Sequence, residues 1–315
     1  MDNKLHLVLG GTGGIGQGVI KDLISRGMNV KAVERSKDAK GVETIKADLL
    51  DAEQTKQAIA GAEYVYLCVG LPYFGAVWKE NWPRIMTNVI DACAATNAKL
   101  IFLDNVYMYG PAPLPVPFDE NTSKEPTSVK GLARKVTEQI LLDAIAAGKV
   151  KAVIGRSADF YGPGAANSLF YITYLARMAA GKAPQWLGSP KAKHTYSLST
   201  DIGRALVELA LDDSCYGQTW HLPVGQPIDA YGMLEIFNRE LGTKFKLSVM
   251  PKFMSVVLSL FVGQLKELKE MAYQFEDDFI MSDAKFRQHF PTFQVTSYDD
   301  GVKATVEAYN ESSAK

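Results

Sequence analysis

The stretch that decides the fold is Leu5–Gly16, which reads LHLVLGGTGGIG near the start of the chain. A short apolar run, Leu5–Leu9, ends in a cluster of glycines. The residues that follow, Gln17–Arg26, carry apolar side chains at helical spacing. This order predicts a strand, a tight turn and a helix, which is the opening unit of many nucleotide-binding folds.

The glycines of this turn match two spacings of dinucleotide-binding turns, G-x-x-G-x-x-G and G-x-G-x-x-G. Residues without Cβ atoms let the backbone approach a pyrophosphate, and the helix that follows offers unpaired N–H groups and a positive dipole end. The alternative is a flexible turn with no ligand. We expect a dinucleotide to bind here, at Gly10, Gly11, Thr12, Gly13, Gly14, Ile15 and Gly16.

A second predicted strand, Met28–Val33, is followed by Glu34, Arg35 and Ser36. At this place an acid accepts hydrogen bonds from a free ribose 2′-hydroxyl, whereas an arginine pairs with a 2′-phosphate. Arg35 and Ser36 favour NADP(H), although Glu34 would repel the phosphate unless its side chain points away. NAD(H) is the alternative cofactor, and a solvated charged turn is the reading without function.

The next two predicted strands supply further cofactor contacts. The strand Val42–Ala47 ends at Asp48 and Leu49, which are predicted to frame the adenine. Alternatively, Asp48 is the N-cap of a helix that begins near Ala52. The strand Tyr64–Val69 ends at Val69 and Gly70, close to the expected cofactor site.

Strands and helices continue to alternate along the first half of the chain, which predicts a doubly wound parallel Rossmann sheet of the α/β class. We expect residues 1–165 to form the dinucleotide-binding domain. Residues 166–315 mostly form a smaller α+β substrate-binding domain, from which a strand near 218–222 returns to the sheet. The further predicted elements are strands Leu100–Leu103 and Val150–Gly155 and helices Trp82–Ala95, Thr127–Ala147, Gly232–Leu241, Phe253–Tyr273 and Tyr298–Tyr309.

Composition narrows the class of protein. The chain has 315 residues and a net charge of -1, which argues against nucleic acid or an anionic membrane as a partner. Its three cysteines are far apart, so they predict no metal site and a reducing, cytoplasmic setting. We expect no signal peptide, and the apolar run Phe253–Val262 is too short to cross a bilayer.

Taken together, several motifs make the chain resemble the extended branch of the short-chain dehydrogenase/reductase superfamily, whose members are NAD-dependent epimerases and dehydratases. The resemblance covers most of the sequence and implies an NAD(P)-dependent oxidoreductase or epimerase/dehydratase. The residues that carry it are the glycine turn Gly10–Gly16, Asp48-Leu49, Asn88, Val106–Gly110, Arg156 with Tyr161-Gly162-Pro163, and the segment His194–Ala205.

The catalytic residues that this resemblance implies are altered. The family has a serine or threonine near the end of the fifth strand and a Tyr-x-x-x-Lys pair on the next helix. In this sequence Asn105 stands at the place of the serine, Lys130 at that of the tyrosine and Arg134 at that of the lysine. We expect these three residues and Tyr107 to surround the reacting carbon.

Tyr107 is the first candidate for the proton donor and Lys130 the second, whereas Arg134 is expected to bond a ribose hydroxyl. Structural alternatives remain for each. Tyr107 could be a packed aromatic, Asp104 and Asn105 could be turn formers, and Lys130 and Arg134 could lie on a solvated face with Glu138 paired to Arg134.

Three functions fit this altered set. The protein could be a redox enzyme with a relocated acid. It could also use its cofactor within one turnover, as epimerases and dehydratases do. The third reading is a dinucleotide-binding sensor or regulatory protein without catalysis.

The substrate side is expected to be lined by Tyr161, Trp186, His194 and Tyr196. Arg177 is the only arginine between Pro163 and Asp201, which weakens the case for a sugar-nucleotide pyrophosphate. A small carbonyl or hydroxyl compound, or a sugar-type substrate, is therefore expected. The resemblance also implies a homodimer formed through the helices Trp82–Ala95 and Thr127–Ala147.

Overall fold

The computed structural model describes residues 4–250 and 270–313, and its centre is one parallel sheet of seven strands. The strand order is β10-β6-β5-β4-β1-β2-β3, which confirms the predicted doubly wound α/β fold. The strands are β1 Leu5–Leu9, β2 Asn29–Glu34, β3 Thr44–Lys46, β4 Tyr64–Leu67, β5 Lys99–Asn105, β6 Ala152–Ser157 and β10 Thr219–His221.

Helices cover both faces of the sheet. Three of the predicted helices begin earlier than expected: α1 begins at Gly14, because only Gly10–Gly13 form the turn, α3 begins at Gly75, and α7 begins at Ala230. The longer helices are α1 Gly14–Ser25, α2 Ala52–Ile59, α3 Gly75–Thr96, α4 Val129–Ala146, α6 Ser199–Leu211, α7 Ala230–Leu241, α8 Ala284–His289 and α9 Tyr298–Ser313, with the short α5 at Ala176–Ala179.

The strand order reverses between β1 and β4, and this reversal fixes where a ligand binds. Leu9 at the end of β1 pairs with Val33 on one side and Leu67 on the other. The glycine turn and the residues after β4 therefore leave the sheet side by side at its carboxyl edge. Open α/β sheets bind ligands at such a switch point.

The C-terminal half adds an aromatic core beside this edge. Four short strands form two small parallel sheets there, β7 Phe160–Tyr161 with β9 Ser197–Leu198, and β8 Gln185–Leu187 with β11 Ser248–Met250. Fully buried aromatic side chains pack together behind them. They include Phe170, Tyr174, Trp186, Tyr196 and Phe237.

Helix α6 packs on α1 at two glycines. A Cβ atom on Gly203 would lie 2.4 Å from the backbone of Gly18, so neither position has room for a side chain. This contact places α6 in the layer of the central sheet, although its residues belong to the second half of the chain. Strand β10, which lies within residues 218–222, pairs with β6 at the edge of the sheet.

No helix of the described residues has the length and apolar character that membrane crossing requires. The predicted helix Phe253–Tyr273 and the apolar run within it lie outside the described residues, except for residues 270–273.

Candidate active site

The glycine turn is built so that one of its glycines faces open space. Gly10 has φ of +88°, and a Cβ on it would lie 2.8 Å from the backbone of Val69. A Cβ on Gly16 would lie 2.2 Å from the Gly10 carbonyl oxygen. By contrast, a Cβ on Gly13 would find nothing nearer than 3.6 Å. Gly13 is also the N-cap of α1 without a side-chain cap, so the turn offers an open anion site.

Glu34 points toward this turn. One carboxylate oxygen, Oε1, accepts a hydrogen bond from the backbone N–H of Thr12 at 2.5 Å. A 2′-phosphate would be tolerated only if the Glu34 side chain pointed away from the turn, and it does not. Arg35 and Ser36 lie exposed beside it.

The turn at Asp48 and Leu49 is fixed by its neighbours. The Asp48 carboxylate accepts from the N–H of Leu50, and the Leu49 carbonyl accepts from Asn88 on α3 at 2.9 Å. The alternative in which Asp48 caps the next helix is wrong, because Asp51 is the N-cap of α2 and accepts from the N–H of Gln54.

Behind the carboxyl edge, β5 and α4 are joined by buried charges. The Arg134 guanidinium donates to the Asp104 carboxylate and lies over the rings of Trp82 and Phe102. Arg134 and Asp104 are each only 2% exposed. The solvated-face alternative is therefore wrong for Arg134, and Asp104 is an ion-pair partner instead of a turn former. The ribose contact of Arg134 stays a prediction.

The same carboxylate continues into a larger network. Arg156 donates to Asp104 at 3.1 Å, to Glu138 at 2.5 Å and to the Tyr109 hydroxyl at 2.6 Å. Glu138 also pairs with Lys124, so it does not pair with Arg134 as the alternative had it. We call this set, Asp104, Arg134, Arg156, Glu138, Lys124, Tyr109 and His221, the buried ion network.

His221 ends the network as a neutral ring. Its Nδ1 donates to the Ser282 carbonyl at 2.9 Å, so its Nε2 accepts from the Tyr109 hydroxyl at 2.5 Å. Burial and the charge of Arg156 lower the pKa of His221 to about 3. The His221 ring, the Tyr109 hydroxyl and the Ser282 carbonyl thus all have hydrogen-bond partners within the protein.

Lys130 is also buried, which excludes the solvated-face alternative for it. Its ammonium donates to the Glu270 carboxylate at 2.9 Å and lies 4.5 Å from the centre of the Tyr73 ring. Glu270 additionally accepts from the backbone N–H groups of Val129 and Lys130, at the start of α4. A catalytic role for Lys130 stays a prediction.

Tyr107 lies next to a second tyrosine. The Tyr73 hydroxyl donates to the Tyr107 hydroxyl at 3.3 Å, and the Trp78 ring stacks on Tyr107. Burial raises the pKa of Tyr107 well above its usual value, so its hydroxyl is protonated at neutral pH. Asn105 accepts from the N–H of Tyr107 at 3.1 Å, as the turn-forming alternative expects.

The residue that sequence reasoning missed is Asp159, which follows β6. Burial raises the pKa of its carboxyl to about 6. Its charge in turn raises the pKa of four tyrosines that face it, Tyr73, Tyr107, Tyr196 and Tyr273. The sequence could have pointed to Asp159, because it is an acid that follows a predicted sheet strand, three residues after Arg156.

His194 and Tyr196, which are predicted to line the substrate side, lie together in the interior. Their rings stack with centres 5.8 Å apart, and each residue is 1% exposed. His194 is therefore an interior residue and not part of the protein surface. Burial lowers the pKa of His194 to about 4, so the ring is neutral. Within the described residues, His194 Nε2 and the Tyr196 hydroxyl have no hydrogen-bond partner. We call Asp159, Tyr73, Tyr107, Tyr196, Tyr273 and His194 the tyrosine–aspartate cluster.

Trp186 and Tyr161 have a different role from the one predicted. Trp186 packs against Phe170 and Tyr174 and donates from its indole nitrogen to the Ser189 carbonyl. Tyr161 is 1% exposed and packs against Gly301. Both side chains are explained by the aromatic core, so the expectation that they line the substrate cleft is not supported by their surroundings.

One group of described residues has the composition of a metal site, although the sequence predicts none. Ligand atoms of Asp212, Cys215 and His289 lie within 4.8 Å of one another. His289 is paired with Asp212 at 2.8 Å, and burial raises the pKa of the Cys215 thiol to about 12. This ion pair beside a protonated thiol gives no reason to assign a metal.

Comparison with protein-family models matches residues 6–217 to the NAD dependent epimerase/dehydratase family. The chain belongs to this family. Its relatives in that family include reductases: a 2′-dehydrokanamycin reductase of Streptomyces kanamyceticus is 25% identical over 251 residues, which cover 78% of this chain and 68% of the relative.

Solved structures agree with the family on the fold. An epimerase of Methanothermobacter thermautotrophicus superposes with a TM-score of 0.83 at 16% identity, over 99% of this chain and 94% of that one. A UDP-glucuronic acid 4-epimerase of Bacillus cereus in complex with NAD gives 0.78 at 16% identity, over 98% and 97%. At such identities the likeness establishes the fold alone. Family and fold together place the chain among nicotinamide-dependent epimerases, dehydratases and reductases.

Proposed function

We propose that this protein is an NAD(H)-dependent oxidoreductase that interconverts a carbonyl and a hydroxyl group on a small substrate without a nucleotide. The observation that carries the proposal is the open glycine turn at the switch point, with Glu34 beside it. The nicotinamide cofactor fits the residues present, because Gly13 leaves open space, whereas a Cβ atom on the neighbouring glycines would clash with the protein. The residues that would hold the cofactor are Gly10, Gly11, Thr12, Gly13, Gly14, Ile15, Gly16, Glu34, Asp48, Leu49, Val69 and Gly70.

The choice of NAD(H) over NADP(H) rests on Glu34. A carboxylate turned toward the pyrophosphate site can accept from a ribose 2′-hydroxyl and repels a 2′-phosphate. Arg35 is exposed and available to a phosphate, so Arg35 favours NADP(H) whereas Glu34 favours NAD(H). The inward position of Glu34 favours NAD(H).

Titration of the purified protein with NADH and with NADPH tests this choice. We expect NADH to bind at least tenfold more tightly, and the variant Glu34→Ser to lose most of that preference. Glu43→Gln is the matched control, because Glu43 is an exposed acid that pairs with Lys31 on the neighbouring strand. Tighter binding of NADPH by the wild-type protein would contradict the assignment.

The substrate is proposed to carry no pyrophosphate because every described arginine after Pro163 is already bonded within the protein. Arg177 donates to the Ala183 carbonyl, and Arg204, Arg239 and Arg287 are each paired with an aspartate. The cluster opposite the glycine turn instead contains Asp159 and the neutral ring of His194. A diphosphate would lose solvation there without gaining an opposite charge.

In the proposed reaction the cofactor supplies or accepts a hydride, and residues of the chain handle the proton. Tyr107 is the proposed acid, because its hydroxyl is protonated and lies in the tyrosine–aspartate cluster. Asn105 holds the turn that carries Tyr107. Lys130 is held by Glu270 and Arg134 by Asp104. We propose that both cations lie beside the cofactor ribose, next to the reacting carbon.

The variant Tyr107→Phe tests the acid. We expect kcat for reduction to fall about 100-fold or more while the affinity for NADH stays the same. Tyr73→Phe is the matched control, because it removes the neighbouring hydroxyl and should cost far less. Equal activity of Tyr107→Phe and wild type would show that another group supplies the proton.

A dinucleotide-binding regulator is the second candidate function. It is favoured by one observation: Lys130 and Arg134, at the family's catalytic positions, are both held in ion pairs. Nicotinamide fluorescence distinguishes the two. Enhanced, blue-shifted emission on NADH binding supports the enzyme, whereas binding without a change in emission supports the regulator.

We also propose a homodimer through α4. Val129, Leu132 and Val136 lie on one face of that helix and are 43%, 48% and 49% exposed. Exposed apolar side chains in one stripe are typical of a partner surface. Analytical ultracentrifugation tests this: the wild type should sediment as a dimer and Leu132→Glu as a monomer.

A further inference from the structure

Asp159 lies where the catalytic edge meets the substrate side. The register pairs Asn105 of β5 with Ser157 of β6, which brings the residues after both strands together. The Asp159 carbonyl accepts from the N–H of Ser197 at 3.0 Å, one residue from Tyr196. The side chain is half-buried. Asp159 therefore lies close to the end of β5, two residues before Tyr107, and to the segment that carries Tyr196.

The Asp159 carboxylate has no ion pair and no side-chain hydrogen bond among the residues that the structure describes. This distinguishes it from Asp104, whose two oxygens bond two arginines. A carboxylate withdrawn from water without a partner costs free energy, which a ligand of opposite charge would recover.

The surroundings of Asp159 suit a cation. Four tyrosines, Tyr73, Tyr107, Tyr196 and Tyr273, lie near enough to the carboxylate for its charge to raise their pKa. The faces of aromatic rings attract ammonium groups. Lys130 shows that a ring in this cluster accepts an ammonium, since its Nζ lies 4.5 Å from the centre of Tyr73. The unpartnered His194 Nε2 and Tyr196 hydroxyl add two polar contacts for hydroxyl groups.

We infer that Asp159 binds an ammonium group of the substrate, so that the protein acts on an amino-substituted sugar or cyclitol. This inference rests on the proposed function and names its substrate class. A substrate with hydroxyls alone would give the carboxylate hydrogen bonds without neutralising its charge, and a phosphorylated substrate would be repelled.

The test is calorimetric titration of the NADH-saturated protein with two matched pairs of probes at pH 7. The pairs are D-glucosamine with D-glucose, and 1-amino-1-deoxy-scyllo-inositol with scyllo-inositol. In at least one pair we expect the amino compound to bind roughly 10- to 100-fold more tightly, the range of one hydrogen-bonded charge pair. In Asp159→Asn this preference should disappear, whereas Asp277→Asn, which changes an exposed acid, should keep it.

Two results would overturn the inference: equal affinity for both members of each pair in the wild type, or a preference that survives in Asp159→Asn. Absence of binding by all four probes counts with the first. The NADH titration that precedes the experiment separates the two proposals. A protein that fails to bind NADH contradicts the proposed function, whereas one that binds NADH and ignores the amino group contradicts only the role of Asp159.

Discussion

The buried ion network and the tyrosine–aspartate cluster lie on the two sides of the same sheet edge and use similar side chains in opposite ways. In the network, Asp104 is bonded by Arg134 and Arg156, and Tyr109 by Arg156 and His221. In the cluster, the described residues supply no ion pair or side-chain hydrogen bond to the half-buried Asp159 carboxylate and no partner to His194 Nε2 or the Tyr196 hydroxyl. The partnered charges of the network stabilise the fold, whereas the polar groups of the cluster are the ones that we propose to bind a ligand.

The largest expected effect is on the network. Arg156→Met should lower the free energy of unfolding by about 3–5 kcal/mol, because Asp104 and Glu138 would stay buried with too little positive charge. Urea denaturation measures it. Arg239→Met is the control, since Arg239 forms an exposed pair with Asp299, and it should cost less than about 1 kcal/mol. A loss of equal size in both variants would break the comparison.

The second expected effect is a stabilisation by Asp159→Asn, and its size depends on pH. Asp159 has a pKa of about 6 when folded against 3.8 when unfolded, so the unfolded chain ionises first as pH rises. Stability is therefore lost between about pH 4 and pH 6, and the penalty is complete above that range. Asp159→Asn should stabilise the protein by about 1–3 kcal/mol at pH 8 and by almost nothing at pH 4.

Urea unfolding of Asp159→Asn at both pH values provides this measurement. The groups that face the carboxylate are tyrosines, which do not titrate in this range. Asp104→Asn is the matched comparison and should destabilise the protein at pH 8, since it weakens two ion pairs. Destabilisation by Asp159→Asn at pH 8 would mean that this carboxylate is paired after all.

The smallest effect separates two buried tyrosines. Tyr109→Phe should cost about 1–3 kcal/mol, because it removes the hydroxyl that accepts from Arg156 Nη1 and donates to His221 Nε2. Tyr196→Phe removes a hydroxyl that has no partner among the described residues, so the stability should stay within about 0.5 kcal/mol of wild type or rise. Thermal and urea unfolding of the two variants, side by side, measure the contrast. Equal losses would show that Tyr196 is satisfied in the free protein.

Local patterns in the sequence predicted the fold correctly, and they also led to the proposed cofactor site. The glycine turn, the alternation of strands and helices, and the return of residues 218–222 follow from local patterns, because backbone freedom and apolar periodicity act over a few neighbouring residues. The positions of Asn105, Lys130 and Arg134 were read from spacing in the same way.

Only the tertiary structure decided what these charged residues contact. Asp104 meets Arg156 across neighbouring strands, and Lys130 meets Glu270 from 140 residues away along the chain. The hydrogen bond from Thr12 to Glu34, the burial of His194 and the lack of a partner for Asp159 among the described residues are equally invisible in the sequence. The physical reason is that the solvation and partners of a charge depend on segments that are distant in sequence and adjacent only after folding.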